Sequence, residues 1–409
     1  MPDARTRLEA MADRSAAPDA VRGVLGRLLD ERPEVADRLV HGDEPTALGR
    51  ALVTLSAASN VLGRLCIADV DALDVLDDLG REPPWDETDA DTLARSKRLG
   101  LLRIAARDLL GQDGLEEVGA ALADQAGRVL DAAVRLAADT DGAGAGGEGG
   151  QQLAVIGMGK LGGRELNYAS DVDVLFVSAD ERVGRARQTL QVARGAFRVD
   201  VDLRPEGRAG VLARPLVSYQ SYWERWADAW EFQALLKARP VAGDVPIGAA
   251  FAQAADEALW GRVFSADELA ELRAMKARTE AEVTRRRMDD RELKRGRGGI
   301  RDVEFAVQLL QLVHGRLDPG IRERSTLGAL AELGSAGYVS TDDARKLADH
   351  YRFLRTVEHR LQLVEEEQTH AVPSATAARE RLARVLGFED TRQAGALARF
   401  DDELRRRQS

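Results

Sequence analysis

Asp171 and Asp173 stand one residue apart in Ser170-Asp-Val-Asp173, at the start of an apolar run, Val174-Leu-Phe-Val177. Side chains two apart on a strand share a face, with Cα atoms roughly 6–7 Å apart. The two carboxylates therefore project together and can clamp a divalent cation such as Mg2+ or Mn2+. A second pair, Asp200 and Asp202, alternates with Val199, Val201 and Leu203 between Arg198 and Arg204. That period of two predicts a half-buried strand with both acids on one face. Set beside the first strand, it would bring one of Asp200 and Asp202 to the same cations and complete the three carboxylates that two-metal phosphoryl or nucleotidyl transfer uses. The plainer alternative is a polar strand edge, with Asp200 and Asp202 offset by Arg198 and Arg204 and with Ser170 and Asp171 serving as a cap.

The elements that must position these acids begin upstream. Leu153-Ala-Val-Ile156 reads as a strand, and glycines at 157, 159, 162 and 163 permit a tight turn into a short helix. Gly157-Met-Gly-Lys-Leu-Gly162 satisfies G-x-G-x-x-G and so raises dinucleotide binding. Only eight residues separate Gly162 from Asp171, however, and the acids precede the second strand instead of ending it. A crossover helix does not fit there. The reading that uses every residue has the turn offering backbone N–H groups to phosphate oxygens while the acids hold metal. The candidate catalytic and metal-binding residues are Asp171, Asp173 and one of Asp200 and Asp202. Those for nucleotide or phosphate are Gly157, Gly159, Lys160, Gly162, Gly163, Arg164, Ser170, Arg204 and Lys237, with Arg239 beside the last; a transferring phosphate needs cations of this kind.

Other segments frame this unit. Residues 1–139 read as helices, with Leu115, Val118, Leu122 and Val129 at helical spacing. Within them Arg103-Ile-Ala-Ala-Arg-Asp108, taken alone, is a solvated helix face. A glycine-rich run at 140–150 predicts a flexible connection, residues 151–245 a catalytic domain, and 246–409 a helical domain. Ser221 to Leu236, read as one helix, places Trp223, Trp226 and Trp230 on one face, for core packing or, less favoured, for stacking on an adenine. Ser265 and Glu268 form a capping box. Lys294-Arg-Gly-Arg-Gly-Gly299 then combines glycines and cations ahead of a helix, as an anion site or a plain basic loop. In Tyr351 to Gln368 an apolar stripe makes His359 and Gln362 structural.

A chain of 409 residues with a net charge of −11 is a globular protein with room for several domains. Its acidity argues against nucleic-acid partners. No apolar span reaches membrane length, and the single Cys66 suits the cytoplasm.

Four stretches together carry a family likeness: GMGKLGGRELNYASDVDVLFV, VDVDLRPEGRAGVLARPLVSYQSYWERWADAWEFQALLKARPVAGD, GRGGIRDVEFAVQLLQLVHG and YRFLRTVEHRLQLVEEEQTHAVP. In this order, over residues 45–385, the chain resembles glutamine synthetase adenylyltransferase, the bifunctional adenylyl-transferring and adenylyl-removing enzyme. The wording of LGGRELNYASDVD and of EHRLQL…QTHAVP is nearer to the N-terminal, removing half of that enzyme. The resemblance implies an α+β fold, a DNA polymerase β-like mixed nucleotidyltransferase sheet between helical regions. It also implies Mg2+ or Mn2+ on Asp171, Asp173 and Asp200. The implied partners are glutamine synthetase, ATP, ADP, AMP and phosphate, with the PII signalling protein as a further candidate. The expected reaction is phosphorolysis of AMP–tyrosine to ADP; adenylyl transfer from ATP and a non-catalytic binding module are the alternatives. Only 26 residues lie between Asp173 and Asp200, fewer than the family usually spends, so the helix between them, expected near 185–196, must be short.

Overall fold

The computed structural model describes residues 4–42, 44–140, 152–179, 183–285, 288 and 291–408. The expected glycine-rich link at 140–150 lies outside them except for Thr140. Strands β1 (Val40–His41) and β2 (Glu44–Pro45) form a short ribbon among the N-terminal helices. The sheet that matters is built from β3 (Leu153–Gly157), β4 (Val172–Ser178), β5 (Val199–Asp200), β6 (Ala213–Arg214) and β7 (Arg239–Gly243). Its order is β5-β4-β3-β7, with β6 also paired to β4. β3 runs antiparallel to β4 and β7, whereas β5 and β6 run parallel to β4, so the sheet is mixed.

Both faces of this sheet are covered, which is why β3 and β4 read as nearly continuous apolar runs. Val155, Val172, Val174 and Phe176 enter one core with the N-terminal helices. Ala154, Ile156, Leu175 and Val177 enter a second core with Tyr219, Trp223, Phe232 and Phe251. A third core joins the helices Ile300–His314, Thr326–Ser335 and Thr341–Leu363 to those at the C-terminal end. The chain is predominantly helical with one small mixed sheet, the α+β nucleotidyltransferase architecture. No helix among the described residues is long and apolar enough to cross a membrane.

Several expectations meet the structure directly. The short helix between the acids is Gly184–Arg194, and Ser265 and Glu268 cap the helix Ala266–Arg285 reciprocally. His359 and Gln362 are buried, the first edge-on to Tyr168 and the second accepting from the Ala169 amide. Three expectations are corrected. The strand predicted across Arg198 to Arg204 ends at Asp200, because the Asp202 amide donates to Asp200 Oδ1 at 2.7 Å and turns the chain. The single helix predicted for Ser221 to Leu236 is two, Leu216–Arg225 and Ala229–Leu235, broken where Asp228 and Glu231 form a new capping box. Trp223 is thus buried while Trp226 is exposed, and the tryptophans do not share a face. Asp108 is not on a solvated face; it is buried against Arg360 and Tyr168.

Candidate active site

The site forms where β4 begins. In the parallel pair β4–β5, Asp173 lies in register with Asp200, and neighbouring strands stand about 4.8 Å apart, so the two carboxylates leave adjacent strands side by side. The short connection is therefore long enough to deliver Asp200. Burial first and Asp200 next, with a smaller push from Asp171, raise the Asp173 carboxyl to about 6, against the pull of Lys160 and Lys294. Asp171 is turned aside: its Oδ1 accepts from Arg198 Nε at 2.8 Å. Among the described residues no group of three or more His, Cys, Asp or Glu is drawn together as it would be around an ion. The donor set nevertheless fits a divalent cation. Asp200 and Asp171 both raise the proton affinity of Asp173, the effect a bound cation opposes, and among the described residues Asp171 pairs with Arg198, whose side chain is 67% exposed; such pairs are worth about 0–1 kcal/mol.

The glycine turn works by close approach. Gly159 has φ +49°, and a Cβ there would stand 2.9 Å from Asp173 Oδ2. A Cβ on Gly162 would meet the Lys237 carbonyl oxygen at 1.7 Å. The Met158 amide donates to the Asp173 carbonyl at 2.9 Å, tying turn to acid. The Gly162 and Gly163 amides are bonded within the turn, to Met158 and Gly159. What Gly162 and Gly163 contribute is room, not donors.

The remaining candidates divide. Lys160 stands near enough to act electrostatically on Asp173. Ser170 directly precedes Asp171 at a half-buried position. Three others are turned elsewhere. Arg164 pairs with Asp124 on the surface. Arg204 donates to the carbonyls of Val201, Gly210 and Arg208, bracing the loop after β5. Lys237 is buried in an ion pair with Glu165 and donates to Thr326 Oγ1 at 3.0 Å. Arg239 likewise caps the carbonyls of Gly162 and Leu161. Asp202 pairs with Arg208.

Lys294 and Glu304 are what the sequence reading left out of the site. Lys160 first, then burial, push the Lys294 ammonium down to about 8, so the two cations stand close together beside Asp173. Glu304 is held below its usual range by Lys237, Lys160 and Lys294, which outweigh its burial. The signal for Lys294 was its glycine-rich basic loop. That loop is carried to the sheet by a backbone bond from Leu293 to His370 and by the Glu292–Ala371 bridge, neither legible locally.

The fold is of the nucleotidyltransferase class, and paired carboxylates stand at the edge of two of its strands. Comparison with known proteins narrows the class. Residues 72–194 and 181–254 match the family model described as glutamate–ammonia ligase adenylyltransferase, and residues 273–409 that described as GlnD PII-uridylyltransferase. The chain is 45% identical over 333 residues to the bifunctional glutamine synthetase adenylyltransferase/adenylyl-removing enzyme of Streptomyces coelicolor, covering 76% of this chain and 33% of the relative. To the protein of the same name from Cutibacterium acnes it is 38% identical over 437 residues, covering 95% and 42%. To that of Mycobacterium tuberculosis it is 49% identical over 260 residues, covering 63% and 26%. The chain belongs to this adenylyltransferase/adenylyl-removing family, and it spans between about a quarter and two fifths of the length of these relatives.

Proposed function

We propose that this chain removes AMP from the adenylylated tyrosine of glutamine synthetase by phosphorolysis. An oxygen of inorganic phosphate attacks the phosphorus of AMP–tyrosine, the P–O bond to the tyrosine breaks, and the products are ADP and the tyrosine, which takes up a proton. The observation that carries this reading is the register of Asp173 against Asp200, whose like charge keeps the Asp173 carboxyl raised despite Lys160 and Lys294. Mg2+ or Mn2+ held by Asp171, Asp173 and Asp200 would neutralise charge on the transferring group. Lys160 and Lys294 place positive charge beside those acids, where an attacking phosphate needs it. Gly159 keeps the approach to Asp173 open, since any side chain there would lie against the carboxylate. Removal is favoured over transfer by the likeness of LGGRELNYASDVD and EHRLQL…QTHAVP to the removing half of the family. The match of residues 273–409 to a PII-uridylyltransferase description makes the PII protein a candidate regulator.

The test is to incubate purified chain, Mg2+ and phosphate with adenylylated glutamine synthetase and to assay ADP. Phosphate-dependent ADP is expected. No ADP overturns the reading, and incorporation of label from ATP into unmodified glutamine synthetase would assign the transfer direction instead.

A further inference from the structure

A cavity of about 200 Å3 opens beside the carboxylates, between the helices Ala229–Leu235 and Ile300–His314. Gly159, the residue packed on Asp173, lies on its wall, and Trp230, Gln233, Gln308, Leu203 and Phe305 line it together with the charged Lys237, Arg301 and Glu304. Sites that engulf drug-sized ligands measure roughly 300–1,000 Å3, so this one receives part of a nucleotide only.

Its lining has the character of a base site. Trp230 is 37% exposed, and among the described residues no aromatic ring or cation packs on it, although Trp223, Phe232 and Phe264 nearby are all engaged. An indole left open on a cavity wall offers a face for stacking. Three residues on along the same helix, Gln233 Nε2 donates to Gln308 Oε1 on the facing helix at 2.7 Å. That bond uses one donor of one amide and one acceptor of the other. The Gln308 NH2 and the Gln233 carbonyl oxygen remain, a donor and an acceptor of the kinds that the acceptor N1 and donor N6 of an adenine edge require. Leu203 and Phe305 supply apolar walls. The larger depression beside β5, about 750 Å3, is lined by Asp171, Asp200 and Asp202 as well as by arginines, of which Arg198 and Arg208 already pair with Asp171 and Asp202 and Arg204 with backbone; the ring in that lining, Phe197, already carries Lys97.

We infer that this cavity binds the adenine base, stacked on Trp230 and hydrogen-bonded by the Gln233–Gln308 amide pair, with the phosphates directed past Gly159 to Asp173. The inference rests on the nucleotidyl-transfer reading for the identity of the base. It places the specificity of the site on a helix of the C-terminal region, so neither region alone completes it.

The experiment is calorimetric titration of the full chain, in Mg2+, with ADP and separately with inorganic pyrophosphate, which has no base. Trp230→Ala is expected to weaken ADP roughly 5- to 150-fold, the span of base–aromatic stacking, and to leave pyrophosphate unchanged. Trp230→Phe should restore most of the loss, and Gln308→Leu should weaken ADP about 5- to 10-fold. Circular dichroism of each variant confirms the fold. Unchanged ADP affinity in both Trp230→Ala and Gln308→Leu overturns the assignment, as do equal losses for ADP and pyrophosphate, or no ADP binding by the wild type. Asp173→Asn separates the two claims. ADP binding that responds to Trp230 but not to Asp173 keeps the base pocket and removes the carboxylate reading; the reverse pattern removes the pocket alone.

Discussion

Two charged regions of this molecule lie side by side and are built on opposite terms. In the seam between the sheet and the helix Thr341–Leu363, the buried charges Arg355 and Glu358 face opposite charge and polar partners, although Arg355 Nε itself makes no hydrogen bond among the described residues. Arg355, 1% exposed, donates to the Tyr351 hydroxyl and the Glu165 carbonyl, each at 2.8 Å, and also to Asn167, and it lies 3.2 Å from Glu358. Glu358 accepts from Asn167 at 2.7 Å and pairs with His370 at 2.6 Å. Burial alone would raise the Glu358 carboxyl, but Lys160, His370 and Arg355 hold it well below its usual range. At the edge of β4 and β5 the reverse holds: Asp173 is raised, and its nearest acid, Asp200, worsens its position. A buried charge matched by opposite charge fixes structure; a charge set against its own kind marks a candidate ligand site.

The sharpest way to break this contrast is to neutralise the conflicted acid. Asp173→Asn should lower AMP removal by a factor on the order of 1,000 or more, the loss of a metal-held transition-state charge. It should also raise stability by about 1–3 kcal/mol in the absence of metal, since it removes a charge that the fold disfavours. Activity and urea unfolding measured on one preparation check both signs. A partnered charge should behave in the opposite way. Arg355→Met strands Glu358 and Asn167 and is expected to cost about 3–5 kcal/mol, with activity per folded molecule altered less than by Asp173→Asn.

His359 gives the same contrast a pH axis. Burial first, then Arg355, pushes its imidazole down to about 3, while the unfolded chain titrates near 6.5. Below 6.5 the unfolded state binds a proton that the native state refuses, so stability falls as pH drops from about 6.5 toward 3, by roughly 1.4 kcal/mol per pH unit from this group. His359→Gln should flatten that slope in urea titrations between pH 6.5 and 4.5. The smallest effect belongs to Arg164→Ala: its pair with Asp124 is half exposed on both sides, and a change within about 0.5 kcal/mol is expected by thermal or urea melts.

How much of this was legible in the sequence follows the range of the interactions. The β3–turn–β4 unit was readable because it is local: an apolar run, glycines and an acid pair within 25 residues. Asp200 was readable because its strand is short and parallel to its neighbour after a single helix. The break between Trp223 and Trp230 was signalled by Asp228 and Glu231, a capping box hidden inside an aromatic run. Lys237 was assigned to phosphate on its charge alone, and its true partner, Glu165, lies 72 residues away. Asp108 and Arg360, 252 residues apart, were beyond any local pattern. Long-range pairing decides which charges the fold consumes, and the free ones are known only after that subtraction.

The most direct test of the account is calorimetry of Mn2+ binding in the presence of ADP, on wild type and on the Asp171→Ala/Asp173→Ala double variant. The account predicts saturable, nucleotide-coupled Mn2+ binding in wild type that is lost in the variant while the fold is kept. Equal binding by both proteins would contradict it and would place the metal away from the edge of β4 and β5.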